Sequence, residues 1–130
     1  MITIDEFKKL EIRIGQIVSA EKVPDTDKLL KLSVNFGLKP SVDGSPDQNS
    51  SSGLGDTEVR QIVSGISAYF PDPHTLVGKK CAFAYNLEPR TIRGLESQGM
   101  ILAVSGQNGE ENFFSLLETN DMVTPGAAVK

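Results

Sequence analysis

The chain has 130 residues, a net charge of −4 at pH 7 and a hydrophobic share of 38%. That length fits one domain, residues 1–130, with a modest core, and no apolar run reaches the ~20 residues that a membrane-spanning helix needs. The N-terminal stretch MITIDEFKKL lacks the apolar core of a signal peptide. The sequence therefore predicts a soluble, cytoplasmic protein and argues against a membrane protein.

The negative charge is concentrated in two segments. Residues 38–58 and residues 107–130 each carry a net charge of −3, and the rest of the chain is left with +2. A weakly cationic face on the body of the domain is therefore compatible with nucleic-acid binding, despite the overall sign of the charge.

The first predicted element is a short helix over residues 3–10, because Thr3 and Glu6 have the spacing of a capping box. Apolar and polar residues then alternate through residues 10–14, which predicts a strand. The alternation slips by one residue after Gly15, and an extra residue beside a glycine is typical of a β-bulge. We therefore expect a bent first strand, as in a small barrel.

The next segments alternate between turns and strands. Residues 23–28, VPDTDK, have the proline and aspartates of a turn. Residues 29–36, LLKLSVNF, alternate strictly and give the clearest strand prediction in the chain. Residues 38–58 are rich in Ser, Gly, Pro and Asp and carry almost nothing to bury, which predicts a flexible insertion. Strand character resumes at residues 59–64, VRQIVS.

The second half of the chain continues with short strands. Residues 69–78 form a proline-punctuated connection with room for a small helical turn. The stretch KKCAFAYNL places Cys81, Phe83, Tyr85 and Leu87 on one apolar face. The later stretches MILAVS, GQNGEEN and FFSLLE predict a buried strand, a hairpin turn and its return limb. Five or six short strands with intervening glycines favour a small closed all-β barrel over a βαβ layout.

Residues 86–100, NLEPRTIRGLESQGM, lie between two of these strands and contain Arg90 and Arg93. We expect an irregular loop, since a proline and glycines interrupt regular structure. Binding side chains often lie on loops that a rigid sheet supports, so the arginines are candidates for phosphate contacts. The alternative is a solvated connector whose arginines pair with Glu88 and Glu96.

The sequence gives little support to catalysis. His74 is the only histidine and Cys81 the only cysteine, which excludes a Cys/His metal cluster and an internal disulfide. The sequence contains neither a phosphate loop nor a dinucleotide fingerprint. A nucleophile pair of Ser64 and His74 has no supporting motif. We therefore predict a non-catalytic protein without a cofactor or metal.

Four stretches occur in order along the chain: LEIRIGQIVSAEKVPDTDKLLKL, RQIVSGI, LVGKK and NLEPRTIRGLESQGMILA. Together they resemble the tRNA-binding domain that is appended to methionyl-tRNA synthetases and also occurs as a free-standing bacterial protein. The resemblance runs from ITIDEF to TPGAAVK, except residues 38–58, and these two end stretches are most similar to the C-terminal domain of the bacterial methionyl enzyme. It implies a five-stranded OB-fold barrel that binds tRNA structure-specifically and forms a homodimer.

The resemblance also implies a set of RNA-binding residues: Lys28, Arg60, Asn86, Arg90, Arg93, Ser97 and Met100. OB-folds bind oligonucleotides on one barrel face framed by loops, and lysine and arginine contact phosphates without reading sequence. For three members of the set a structural role stays open: Met100 as a core residue, Ser97 as a turn cap and Asn86 as a support for the loop backbone.

Two features depart from the family's usual pattern. Glu88 stands where family members commonly carry lysine, and the acidic residues 38–58 have no usual counterpart. Few phosphate contacts give weak binding, so we expect micromolar affinity.

Other classes of function stay open from the sequence. One is a homodimerisation or protein-interaction module of the synthetase whose RNA affinity has decayed, and another is a relative of an export chaperone with the same barrel. The tail, residues 107–130, carries more apolar residues than one hairpin limb needs, which predicts that it takes part in dimerisation.

Overall fold

The computed structural model of the chain describes residues 1–38 and 57–130. The predicted insertion, residues 38–58, lies outside the described residues except at its two ends. There Leu38 ends one strand and Thr57 begins the next, and the two residues pair with each other. The predicted mobility of the insertion stays a prediction.

The described part of the chain contains one short α-helix, two 3-10 turns and ten strands. In order they are α1 (Ile4–Phe7), β1 (Ile12–Lys22), β2 (Leu30–Leu38), β3 (Thr57–Ser64), the turns Ser67–Tyr69 and Pro73–Leu76, β4 (Lys80–Ala84), β5 (Arg90–Ile92), β6 (Leu95–Ser97), β7 (Met100–Ile101), β8 (Ala103–Asn108), β9 (Glu111–Leu116) and β10 (Ala128–Val129). Within residues 1–38 and 57–130, no helix has the length and apolar character that crossing a bilayer requires.

Five antiparallel strands form the main sheet in the order β3-β2-β1-β4-β7, and β10 pairs with the start of β1. The β5–β6 and β8–β9 pairs are separate hairpins. Hydrogen bonds between Gln61 on β3 and Gln98, just before β7, bring the two ends of the five-stranded path together. The sheet is therefore curled into the small five-stranded barrel that the sequence predicted.

The strict alternation in β2 directs its apolar residues into the barrel. Every second residue from Leu30 to Phe36 is buried, and this row packs against Ile62 and Phe83, both 0% exposed. Burying a side chain of this size stabilises a fold by about 1.5–3 kcal/mol, so this row makes a large contribution to the stability of the core. Cys81 lies in the same cluster, and burial raises the pKa of its thiol to about 11.

The N-terminal predictions are confirmed in part. The Thr3 hydroxyl accepts a hydrogen bond from the Glu6 amide, and the Glu6 carboxylate accepts one from the Thr3 amide, which is the predicted capping box. The helix ends at Phe7, earlier than expected.

The predicted β-bulge exists, but its position at Gly15 is wrong. The register of β1 against β2 shifts between Ile17 and Ser19. Gly15 has a different role, because a Cβ there would lie 2.4 Å from the Cγ1 atom of Val34. It is needed for close packing across the barrel.

Three predictions for the second half are corrected. MILAVS is not one buried strand, because β7 ends at Ile101 and β8 starts a separate hairpin whose residues 103–105 are exposed. Leu87 is 40% exposed, since β4 ends at Ala84 and the alternation stops there. The GQNGEEN stretch is mostly strand, with its turn at residues 109–110 only.

Candidate nucleic-acid interface

The segment expected to be an irregular loop is a β-hairpin. Strands β5 and β6 pair Arg90 with Ser97 and Ile92 with Leu95, which leaves a two-residue turn. Both turn residues have positive φ, 53° at Arg93 and 81° at Gly94. Positive φ at both positions is the requirement of a type I′ turn, whose twist matches that of paired strands.

The arginine in this turn adopts a conformation that non-glycine residues rarely take. Asn and Asp are the usual non-glycine residues at such positions, and an L-residue there costs roughly 1–2 kcal/mol. Strain of this kind occurs at functional sites more often than elsewhere. The turn holds the Arg93 side chain at the tip of the hairpin, where it is exposed.

Arg90 and Arg93 are exposed and have no carboxylate within 4.0 Å among the described residues. The four ion pairs of this part of the chain join other cations to their neighbours: Arg13 to Glu11, Lys31 to Glu21, Arg60 to Glu58 and Lys79 to Glu118. The alternative in which the hairpin arginines pair with Glu88 and Glu96 is therefore not what the structure shows. Their guanidinium groups are available to an external anion.

In contrast to the two arginines, Ser97 and Gln98 at the base of the hairpin are hydrogen-bonded to the rest of the protein. Ser97 is 4% exposed, and its hydroxyl oxygen accepts a 3.0 Å hydrogen bond from the Val63 amide and donates one of 2.9 Å to the Gly99 carbonyl. The side-chain oxygen of Gln98 accepts a 3.0 Å hydrogen bond from the backbone amide of Gln61, and the backbone amide of Gln98 donates a 2.8 Å bond to the Gln61 carbonyl. These bonds satisfy the outward backbone groups of β3, which a buried edge strand must pair.

Gly99 completes this seam. Its φ of +146° is a conformation that only glycine adopts readily, and a Cβ would lie 3.0 Å from both the Ala84 carbonyl oxygen and the Ile62 Cδ1 atom. Residues 97–99 of the SQGM block therefore close the barrel.

Arg60 is held by the protein on several sides. Its guanidinium donates to the carbonyls of Tyr85 at 2.7 Å and Gln98 at 3.3 Å, and it lies 3.7 Å from the centroid of the Tyr85 ring. Its Nε is 3.5 Å from the Glu58 carboxylate, which also accepts the Tyr85 hydroxyl. Burial and then this hydrogen bond raise the pKa of Tyr85, so the phenol keeps its proton near neutrality.

The remaining predicted site residues are spread around the hairpin. Asn86 bridges the Lys9 carbonyl and the Glu11 amide through its side-chain amide, at 2.7 and 2.8 Å. Met100 is 47% exposed on β7. Lys28 is exposed in the β1–β2 turn, and its carbonyl accepts the Ser67 amide.

The structure thus divides the predicted set into two groups. The first has free, exposed side chains and comprises Lys28, Arg90, Arg93 and Met100. The second is bonded into the fold and comprises Arg60, Asn86 and Ser97. RNA contact by any of these residues stays a prediction, and the first group meets its geometric requirements better.

Sequence reasoning missed Gln61 and Gln98, which join the hairpin to β3. Gln98 lay inside the SQGM block that carries the family resemblance, but the sequence did not indicate what its side chain does. Gln61 lay inside the RQIVSGI stretch, but its partner could not be inferred, because a pairing across 37 residues has no local pattern. In the described part of the chain, no three His, Cys, Asp or Glu side chains are grouped as metal ligands.

A family model described as a putative tRNA-binding domain matches residues 53–128 of the chain. The chain is 41% identical over 130 residues to a methionine–tRNA ligase of Methanosphaerula palustris and spans 16% of that protein's length. A similarly short part, 16%, matches the ligase of Thermotoga maritima at 39% identity. The chain therefore corresponds to one small module of these ligases.

Solved structures agree with the fold. A protein of Pyrococcus horikoshii described as related to methionyl-tRNA synthetase has a TM-score of 0.76 and 34% identity, and the match covers 100% of this chain and 98% of that one. The chaperone CsaA of Bacillus anthracis has a TM-score of 0.71 at 22% identity, covering 100% of this chain and 99% of that one, and supports the fold alone. The predicted OB-type barrel is confirmed.

Proposed function

This chain belongs to the tRNA-binding domain family, and from that premise we propose that it grips folded tRNA through the β5–β6 hairpin. The matched module is the non-catalytic, tRNA-binding part of its relatives, so the chain itself is not an enzyme.

One observation carries the choice of surface. Arg90 and Arg93 are exposed and unpaired within the described residues, on a hairpin that is anchored to the barrel. Arginine stays charged at neutral pH and presents a planar fork that can make two hydrogen bonds to one phosphate. Two such groups on a short hairpin suit the phosphate backbone of a folded RNA.

Further contacts would come from the neighbouring loop and strand. Lys28 lies in the β1–β2 turn, beyond the Leu30–Ser64 pair, and Ser97 is bonded to Val63 at the same end of β3. The lysine and the hairpin base therefore lie towards the same end of β3. Contacts to phosphates position an RNA without reading its sequence, which fits recognition of tRNA shape.

Few cations imply weak binding. Each neutralised phosphate adds roughly 0.7–0.9 to the slope of log affinity against log salt, so two or three contacts leave a shallow slope and micromolar affinity. An affinity of this order suits a module that adds to the tRNA affinity of a larger enzyme. We propose that the chain acts within or beside a methionyl-tRNA synthetase in the cytoplasm.

Filter binding tests this function. Folded tRNA and a DNA duplex of matched length are titrated with the protein over a salt series from 50 to 200 mM. Tighter binding of tRNA than of duplex, with an affinity that falls as salt rises, is the expected result. Equal binding of both, or no binding of tRNA at low salt, would reject the function.

We also propose that the chain forms a homodimer. Helix α1 buries none of its residues, and Ile4 is 65% exposed beside a groove of about 290 Å³ whose walls include Leu10 and Val129. This apolar surface joins the N-terminal helix to the end of the predicted tail, residues 107–130. A second copy would cover it symmetrically.

Sedimentation equilibrium at micromolar concentration checks the dimer. A species of twice the chain mass is expected for the native protein, and Ile4→Lys should shift it to monomer because a charge enters the covered surface. Val77→Lys is the control, since Val77 is 47% exposed and lies outside both the groove and the predicted tail. A native protein that sediments only as a monomer would contradict the proposal.

A further inference from the structure

The hairpin that carries the arginines has almost no strand pairing to the barrel. In the described part of the chain, β5 pairs with β6 and β6 pairs with β5, and no ladder joins either to the main sheet. An isolated two-stranded hairpin is marginally stable in water. Something other than a strand ladder must therefore fix its direction.

We propose that Gln61 and Gln98 are positioning residues that fix the direction in which the hairpin presents Arg90 and Arg93. This inference rests on the proposed tRNA binding and adds residues that make no RNA contact themselves.

The two glutamines form a reciprocal clamp. The Gln61 side chain donates to the Glu96 carbonyl at 2.9 Å, and the Gln98 side chain accepts the Gln61 amide at 3.0 Å. The backbone bond from the Gln98 amide to the Gln61 carbonyl, 2.8 Å, lies between them. Each side chain therefore replaces a hydrogen bond that a continuous strand ladder would have supplied.

The clamp lies at the point from which the hairpin leaves the barrel. Ser97, the last residue of β6, is anchored to Val63 by its hydroxyl. The residues further out, Thr91 to Glu96, are held to β3 by the bond from the Gln61 side chain to the Glu96 carbonyl. Gln61 and Gln98 are only partly buried. Removing their polar ends therefore leaves the core intact, while the hairpin gains freedom to pivot about Ser97.

A pivoting hairpin has a distinct signature in binding. The arginines keep their charges and still reach phosphates, so the salt slope should stay the same. The affinity should fall, because the hairpin must be ordered at the moment of binding. A residue that contacts RNA directly would lower the slope as well.

The variants are Gln61→Met and Gln98→Met, which keep side-chain length and remove the hydrogen bonds. Gln107→Met is the matched control, because Gln107 is an exposed strand glutamine whose side chain bonds no described residue. The fourth variant, Gln98→Glu, keeps an oxygen that accepts the Gln61 amide.

The first readout is hydrogen exchange of the free protein at residues 90–98. Gln61→Met and Gln98→Met should speed exchange there about tenfold, which is the expected result of losing one or two hydrogen bonds. Gln107→Met should leave it unchanged, and Gln98→Glu should restore protection towards the native value. Unchanged exchange in both methionine variants would overturn the inference.

The second readout is tRNA filter binding over the salt series. We expect a Kd about fivefold higher for each methionine variant with an unaltered salt slope, and native values for the control. An affinity equal to that of the native protein, or a slope lowered with the affinity, would overturn the positioning role. If the native protein fails to bind tRNA, the proposed function fails, while hydrogen exchange still decides whether the glutamines fix the hairpin.

Discussion

The base and the tip of the β5–β6 hairpin are a few residues apart and are built on opposite principles. At the base, Ser97 and Gly99 are packed against β3 and β4 and have their polar groups satisfied within the protein. At the tip, Arg93 and Gly94 are exposed and touch little. A single sequence block thus contains residues that hold the hairpin and residues that are free to bind.

This difference teaches how a family motif should be interpreted. Similarity to the family marked Ser97 and Arg93 alike as RNA-binding, since both belong to the same block. Burial separates them, because a side chain that is 4% exposed and hydrogen-bonded on both sides has no free donor to offer. We therefore expect substitutions at the base to change stability and substitutions at the tip to change RNA binding.

The largest expected effect on stability comes from the glycine at the base. Gly99→Ala should lower the free energy of unfolding by about 3 kcal/mol, because it combines backbone strain with a 3.0 Å approach to Ala84 and Ile62. Gly94→Ala is the matched change at the tip, where a Cβ meets open space, and should cost about 1 kcal/mol from its positive φ alone. Urea unfolding measures both. Equal losses would break the distinction between base and tip.

The next effect comes from the buried hydroxyl. Ser97→Ala leaves the Val63 amide without its partner and should lower the unfolding free energy by about 2 kcal/mol. Ser105→Ala in the exposed strand β8 serves as the control and should change stability little. Thermal and urea unfolding would both report the change, and a stable Ser97→Ala protein would contradict the role of the base.

The smallest effect concerns a charge just before the hairpin begins. Glu88→Lys replaces a negative charge with a positive one at an exposed position, and should tighten tRNA binding about three- to fivefold at low salt. Unfolding free energy should barely change, because an exposed charge contributes little to folding. Filter binding at 50 mM salt tests this, and weaker binding would show that RNA approaches from another side.

The fold was predictable where the signal was local. The alternation in residues 29–36 gave β2, and the spacing of Thr3 and Glu6 gave the helix cap. The hairpin was missed, since its turn uses Arg93 at a position where Asn or Asp is the usual signal. Gly15 was assigned to a bulge, because sequence does not distinguish a glycine needed for strand irregularity from one needed for close packing.

The sequence indicated where the candidate site lies, but not which of its side chains are bonded into the fold and which are free. The arginines were identified from their loop position and from the family resemblance. The clamp of Gln61 and Gln98 joins residues that are 37 apart in the sequence. The contacts that hold the Arg60 side chain form only when β3 lies beside the end of β4. Such long-range contacts leave no periodic pattern in the sequence.

The most direct test of the central claim is the salt dependence of tRNA binding by the double variant Arg90→Ala/Arg93→Ala. If the two arginines contact phosphates, the affinity at moderate salt should fall about tenfold or more and the salt slope should decrease by roughly two. The unfolding free energy should stay close to the native value, since neither arginine has an ion-pair partner within residues 1–38 and 57–130. An unaltered salt slope, with native or lowered stability, would contradict the account.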